Sequence, residues 1–336
     1  MKTKLNILIL GSGMFVTGRG TDNFGTILPS IFEASNNLTI ENIIICSTAI
    51  KSSKLAKDKV DAISKIYKKR LNIQYFPNIN NKKYDLNKLI NDYEINCSII
   101  SLPDHLHCKF ALKIMKKNVH CLVVKPMTTS KENAIKMINL SKKNNLLGMV
   151  EFHKRYDEAN LVIKDRIRNN EIGNLQYAII EYSQRKTIPI KSFKTWVNKT
   201  NIFQYLAVHY VDLIFYLTNF KPLIVHTFYQ NDFLKKQGVN NYDSIQVIVE
   251  WKRNDNKKFV SIHTSNWIDS EKSSAMSDQI IKIVGEKGKI ISDQKNRGLQ
   301  IVTDQKGIND LNPYFTTSLS VKNNLTNQSF GYGIKS

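Results

Sequence analysis

The first 150 residues alternate between short apolar runs and longer stretches with helical spacing. The runs are "LNILILGSG", "IENIIICS", "CSIISLP", "HCLVVKP" and "LLGMVEF". Between them, residues 53–69, 107–117 and 131–144 set apolar side chains three and four apart among lysines, as in Phe110, Leu112, Ile114 and Met115. Strands apolar on both faces that alternate with helices predict a parallel sheet covered on each side. Beyond residue 150 the pattern changes. "GNLQYAIIEYS", "LIVHTFYQ", "DSIQVIVEWK", "KFVSIHTSNW", "QIIKIVGEKGKIISD" and "LQIVTD" read as strands, several of them alternating apolar and polar as a half-exposed antiparallel sheet does. Gly285 and Gly288 fit a turn within the fifth of these. One amphipathic helix interrupts them at residues 201–217, its stripe formed by Phe203, Leu206, Tyr210, Leu213 and Leu217.

The expected fold class is therefore α/β: an N-terminal Rossmann-type doubly wound parallel sheet plus a C-terminal α+β domain with a large, open, mostly antiparallel sheet. The expected bounds are 1–126 for the first domain and 127–306 for the second, with the chain crossing back near 127–155. Residues 307–336, rich in Asn, Ser, Thr and Gly, read as an irregular tail, shortened by truncation or docked unconventionally.

Composition narrows the function. At 336 residues and 42% hydrophobic content the chain supports two cores. Its apolar runs fall short of the roughly 18 residues of a membrane helix, and "MKTKLNILIL" reads as a strand with no cleavage site after it, so a soluble cytoplasmic protein is expected. Cys46, Cys97, Cys108 and Cys121 lack metal-like spacing, and buried free thiols with no metal are expected. The formal charge of +21 comes largely from lysine, 41 of 49 basic residues, spread along the whole chain. A nucleic-acid binder would gather them in a stripe; this distribution instead favours small anionic ligands.

Candidate chemistry begins after the first strand. Gly11 and Gly13 form Gly-x-Gly, a tight turn whose backbone can approach a pyrophosphate, with Ser12, Met14 and Phe15 around it. The third glycine of a full dinucleotide signature is replaced by Val16, and "TGRGTDNFG" precedes the next helical segment. At the end of the second strand, where an acid would bind the ribose hydroxyls of NAD, the chain has Cys46, Ser47 and Thr48, with Lys51 and Lys54 beyond. Hydroxyls and cations suit a 2'-phosphate, so NADP is expected ahead of NAD.

The stretch "CSIISLPDHLHCKFALKIMKKNVHCLVVKPMTTS" resembles the Gfo/Idh/MocA oxidoreductases, the glucose-fructose oxidoreductase and inositol dehydrogenase group, in its strand, Pro-x-x-x-His turn, helix and strand ending in Lys-Pro. "LLGMVEFHKRYDEA" is similar to that family's passage into its second domain, and the likeness extends over roughly residues 4 to 305. The resemblance implies that Leu102, Pro103, His107, Lys125 and Pro126 line the cofactor site. It also implies that Lys125 stands beside the nicotinamide and the reacting hydroxyl, with Pro126 fixing the backbone as the chain crosses between domains. His209 matches the family's proton-accepting histidine, a role suited to an ordinary pKa near 6.5. Two departures stand out. Val124 replaces the family's glutamate before Lys-Pro, and Tyr205 replaces an aspartate four residues before the histidine, with no glycine pair ahead of it. Tyr205 could only hydrogen-bond the imidazole or touch the substrate, so Gln204 and Asp212 are the candidate substitutes, Asp212 sharing a side of the helix with His209. Arg155, Arg185, Lys186, Trp196, His209 and Asp212 are expected near the substrate, Arg185 through Trp196 as part of a covering loop.

These readings converge on an NAD(P)-dependent dehydrogenase or reductase acting on CH-OH groups of a sugar, sugar acid, cyclitol or nucleotide sugar. The chain would form a homodimer or homotetramer through the open face of its second sheet, with no nucleic-acid or membrane partner. A catalytically weak or inactive dinucleotide-binding regulator of the same fold stays open as the alternative, and a nucleic-acid binder ranks last.

Overall fold

The computed structural model describes residues 4–305, 307–319 and 328–336. The first three residues of the expected opening strand run and residues 320–327 of the expected tail lie outside the described residues. The chain forms two compact units: one holds the residues up to His153 together with those from Phe315 onward, the other Lys154–Tyr314.

In the first unit, β1 (Leu5–Leu10), β2 (Ile40–Cys46), β3 (Ile73–Phe76), β4 (Cys97–Ile100), β5 (His120–Val124) and β6 (Gly148–Glu151) form one sheet in the order 3-2-1-4-5-6. Every pairing is parallel. This is the doubly wound dinucleotide-binding order, with its reversal between β1 and β4. Alternation along the strands feeds two cores. Leu8, Leu10 and Ile44 pack with α4 (Leu86–Asp92), α5 (His107–Met115) and Met137 of α6 (Lys131–Lys143). Ile7, Ile9, Ile43 and Ile45 pack on the other face with α1 (Met14–Thr17), α2 (Ile27–Ala34) and α3 (Ile50–Tyr67). Burial on both faces explains why these strands read as unbroken apolar runs.

The expected boundary at residue 126 is corrected. β6 pairs in register with β5, Val124 opposite Glu151, so the chain stays in the first sheet for a full helix and strand after Pro126 and leaves it only past His153. Pro126 therefore does not mark the crossing. β3 and α4 have no counterpart in the sequence reading.

In the second unit, β7 (Leu175–Arg185), β8 (Lys221–Gln230), β9 (Ser244–Lys252), β10 (Lys258–Asp269), β11 (Ser277–Gly285) and β12 (Gly288–Asp293) form a mixed sheet in the order 12-11-7-10-9-8. Only β7 and β10 run parallel; the other four pairings are antiparallel. Ile180, Val247, Trp251, Trp267 and Ile281 bury one face against Leu206, Tyr210, Leu213 and Leu217. The last three sit on α8 (Val208–Thr218); α7 (Glu158–Arg168) and α9 (Asp232–Lys236) complete the helices of this unit. The segment read as the start of the 201–217 helix is a π-helical turn, Phe203–Ala207, leading into α8.

The expected irregular tail is also corrected. β13 (Gln300–Thr303) pairs with β14 (Gly307–Asp310) in the second unit, and β15 (Thr317–Leu319) pairs with β16 (Gln328–Phe330) before α10 (Tyr332–Lys335) in the first. Tyr332 is buried, its ring 5.4 Å from that of Phe315 and 5.5 Å from that of His153. Ser329 donates its N-H to Glu33 Oε1 at 2.7 Å. This order comes from aromatic and hydrogen-bond contacts with the first unit, which leave no periodic signal in the tail itself.

Candidate active site

The carboxyl ends of β1, β2, β4 and β5 carry the expected cofactor residues. Gly11 accepts no side chain: its φ is +109°, and a Cβ there would lie 2.1 Å from the Ser101 carbonyl oxygen just beyond β4. Its N-H donates to Cys46 O at 2.9 Å, tying β1 to β2 at the reversal of strand order. Ser12 is buried and accepts from the Ser47 hydroxyl at 2.7 Å. A Cβ on Gly13 would meet nothing within 4 Å, so the outer limb of the turn borders open space. Met14 is 44% exposed, and Phe15 stacks on His153 with ring centres 6.1 Å apart. Thr48, Lys51 and Lys54 are exposed at the head of α3.

His107 joins the ends of β4 and β5. Its Nδ1 lies 2.7 Å from Pro126 O and its Nε2 2.7 Å from Leu102 O. Burial lowers its pKa, with Lys125 adding to that, against the two carbonyls and Asp104, which favour the charged ring. Pro103 caps the short 3-10 turn Asp104–Leu106 that leads into α5. The result is a fixed frame around Lys125.

Lys125 itself is buried. Removal from water pulls its pKa down to about 8, while Asp104 and Glu151 support the ammonium. Asp104 is 2% exposed and Glu151 6%. Glu151, with its partner His153, was not among the expected site residues. The available signal was an acid and an imidazole at the carboxyl end of a strand, in "GMVEFH".

In the second unit His209 is 3% exposed on α8. The next residue, Tyr210, hydrogen-bonds Gln294 Oε1 at 3.0 Å, and buried Lys154 donates to Gln294 Oε1 at 2.7 Å and to Gln279 Oε1 at 2.6 Å. These bonds anchor the helix to β11, which carries Gln279, and to Gln294 just past β12. Lys154, another residue sequence reasoning missed, also lies 5.0 Å from the centre of the Tyr210 ring. Asp212 is engaged by Arg155, from Nε at 2.8 Å and from a terminal nitrogen at 2.5 Å. Tyr205 stands among rings, 4.8 Å from Phe193, 6.1 Å from Trp196 and 6.3 Å from Trp267. Trp196 packs on Phe193 at 4.5 Å. Arg185 donates to Ser273 O, Lys186 lies over the Phe233 ring at 5.1 Å, and Gln204 N-H bonds Asn201 Oδ1 at 2.9 Å. Among the described residues there is no group of histidine, cysteine or acid side chains suited to a metal, and no helix long and apolar enough to cross a membrane.

Two family models match the chain in sequence. Residues 5–152 match the oxidoreductase family, NAD-binding Rossmann fold, and residues 161–291 match the GFO/IDH/MocA C-terminal domain. The chain belongs to the GFO/IDH/MocA oxidoreductase family. Among curated proteins, glucose-6-phosphate 3-dehydrogenase of Bacillus subtilis is 26% identical over 185 residues, 50% of this chain and 49% of the relative. Myo-inositol 2-dehydrogenase of Thermotoga maritima is 21% identical over 227 residues, 66% of this chain and 64% of the relative. The matches thus span about half to two thirds of these relatives. Scyllo-inositol dehydrogenase of Lactobacillus casei, solved with NAD(H) and scyllo-inositol, superposes with a TM-score of 0.67 at 15% identity, covering 91% of this chain and 81% of that one. The shared fold agrees with the strand order and its reversal.

A dinucleotide fits the residues at that reversal. Gly11 lets the turn close against Ser101, Gly13 opens onto free space, and the Lys125 ammonium stands at the neighbouring strand end.

Proposed function

We propose that the chain is an NAD(P)-dependent oxidoreductase of a sugar or cyclitol, with the Gly11–Phe15 turn, Ser47, Thr48, Leu102, Pro103, His107 and Pro126 binding the cofactor. A bound nicotinamide supplies the hydride acceptor or donor. Lys125 polarises the reacting oxygen as an ammonium, and His209 takes the hydroxyl proton during oxidation and returns it during reduction. Lys125 carries the reading: a lysine buried at the end of a strand, beside the reversal of a doubly wound sheet, with two carboxylates supporting its charge, has no need of that burial for stability alone.

Thr48, Lys51 and Lys54 at the end of β2 favour a 2'-phosphate, hence NADP. A second copy covers the outer sheet face, supported by the exposed apolar residues of β8 that sit opposite Glu250 and Gln246 rather than opposite the core: Ile224 at 46% and Phe228 at 59%. Light scattering that gives a monomer at micromolar concentration removes this part.

One observation favours the regulator alternative. Asp212 is held by Arg155 through both carboxylate oxygens, which commits this acid to an ion pair rather than to His209. Purified protein assayed against inositols, sugars and sugar phosphates with both cofactors decides between them. The proposal expects turnover that Lys125→Ala cuts by about 10² or more with cofactor binding retained. Binding of cofactor with no turnover of any polyol would leave the regulator.

A further inference from the structure

Glu151 is a buried acid that the proposed chemistry does not use. It ends β6, and the parallel register sets it opposite Val124, the residue before Lys125, so the two side chains leave the sheet on the same face. Val124 packs there with Ile7, Ile9 and Val16. Glu151 Oε1 meets His153 Nδ1 at 3.0 Å, and Oε2 is buried as well. The Phe15 and Tyr332 rings stack on His153, and Phe315 meets it edge-on at 5.4 Å, so the pair is screened from water.

An acid in such a place should be neutral, because burial opposes its charge. It is instead held below the ordinary carboxylate range: burial acts against the charge, but His153, the nearby Ser336 hydroxyl and the Lys125 ammonium outweigh it. The same coupling acts on Lys125. The titratable groups that face it come from three places: Asp104 after β4, His107 at the start of α5, and Glu151 on β6. His107 opposes its charge, and the two carboxylates support it. With valine at 124, β5 offers no acid of its own at this end.

We propose that Glu151 is a positioning residue for Lys125, supplying from the adjacent strand the negative charge that position 124 does not, and so holding the ammonium at the end of β5. Its meaning for catalysis rests on the role of Lys125 argued above. Its meaning for electrostatics does not.

The test is an NMR titration of full-length protein labelled with 13C-lysine, the Lys125 signal assigned by its loss in Lys125→Arg. In the unaltered chain the midpoint should fall near 8. Glu151→Gln, which keeps shape and removes charge, should lower the midpoint by about one pH unit, a tenfold fall in proton affinity. The double variant Val124→Glu with Glu151→Gln, which returns the acid one strand away, should restore it. An unchanged midpoint in Glu151→Gln overturns the proposal. If that variant is too unstable to titrate, Glu151→Asp is read instead: the withdrawn carboxylate should give a lower midpoint, and a midpoint equal to that of the unaltered chain overturns the proposal equally. No substrate is needed, so absence of dehydrogenase turnover would sink the functional reading while leaving this one standing. Turnover with an insensitive Lys125 midpoint would do the reverse.

Discussion

Arg155 grips Asp212 by both carboxylate oxygens, and the aspartate lies three residues beyond His209 on the same helix. This fork accounts for the buried acid without any part in proton transfer. Asp212→Asn should cost about 1 to 3 kcal/mol in urea unfolding, the range for a charge-assisted bond lost at a largely buried site. Arg155→Lys should fail to replace it, since an ammonium cannot present two parallel donors. Turnover per folded molecule should stay within a few-fold of normal. Full stability with turnover abolished would return Asp212 to the chemistry.

The two glycines of the first turn should respond in opposite ways. Gly11→Ala drives a Cβ toward the Ser101 carbonyl from a backbone conformation that disfavours any side chain, and should cost several kcal/mol or prevent folding. Gly13→Ala meets only open space, so the chain should fold normally while cofactor affinity falls about tenfold or more, because the methyl fills room needed by the phosphates. Circular dichroism with fluorescence titration separates the cases. Unaltered affinity in Gly13→Ala would move the dinucleotide elsewhere.

Lys51 and Lys54 should matter only to cofactor choice. Their joint replacement by alanine should weaken NADPH about tenfold, the effect of one lost phosphate contact, and leave NADH nearly unchanged. Equal losses for both would show general attraction of anions, and tighter NADH binding in the unaltered chain would remove the NADP preference.

His263 gives the second unit a sensitivity to acid. It is fully buried on β10 beside the Ser261 hydroxyl at 2.8 Å, and burial pushes its pKa down to about 4. The unfolded chain takes up this proton near 6.5, well before the folded chain does, so the stabilising effect is complete above that pH and fades as pH falls toward 4. Between pH 7 and pH 5 the loss should be about 2 kcal/mol. Urea midpoints at the two pH values check it, and His263→Asn should flatten the dependence. An equally steep slope in that variant would assign the effect to other groups.

Much of the framework was legible because it is written in local periodicity. β1, β2, β4 and β5 lie within the apolar runs read as strands, and α8 buries Tyr210, Leu213 and Leu217 from the predicted stripe. Lys125 and His209 were singled out through motif order. Their surroundings were not, because strand order is non-local: nothing in "GMVEF" says that it will lie beside "HCLVV" with Glu151 across from Val124. β3 was missed for a different reason, being only four residues at a sheet edge, too short to show a periodic pattern. Tyr205 was placed by α-helical spacing, but the turn that carries it is π-helical, and that wider turn leaves it in the cluster with Phe193 and Trp267.

The second unit is an insertion within the first, since the first is completed only by residues from Phe315 onward. On a ribosome, the inserted 161 residues of Lys154–Tyr314 must emerge before Tyr332 can cover His153. A nascent chain therefore has time to build its later domain while the earlier one still lacks its closing piece. Any defect that delays that closure leaves the imidazole beside Glu151 open to water.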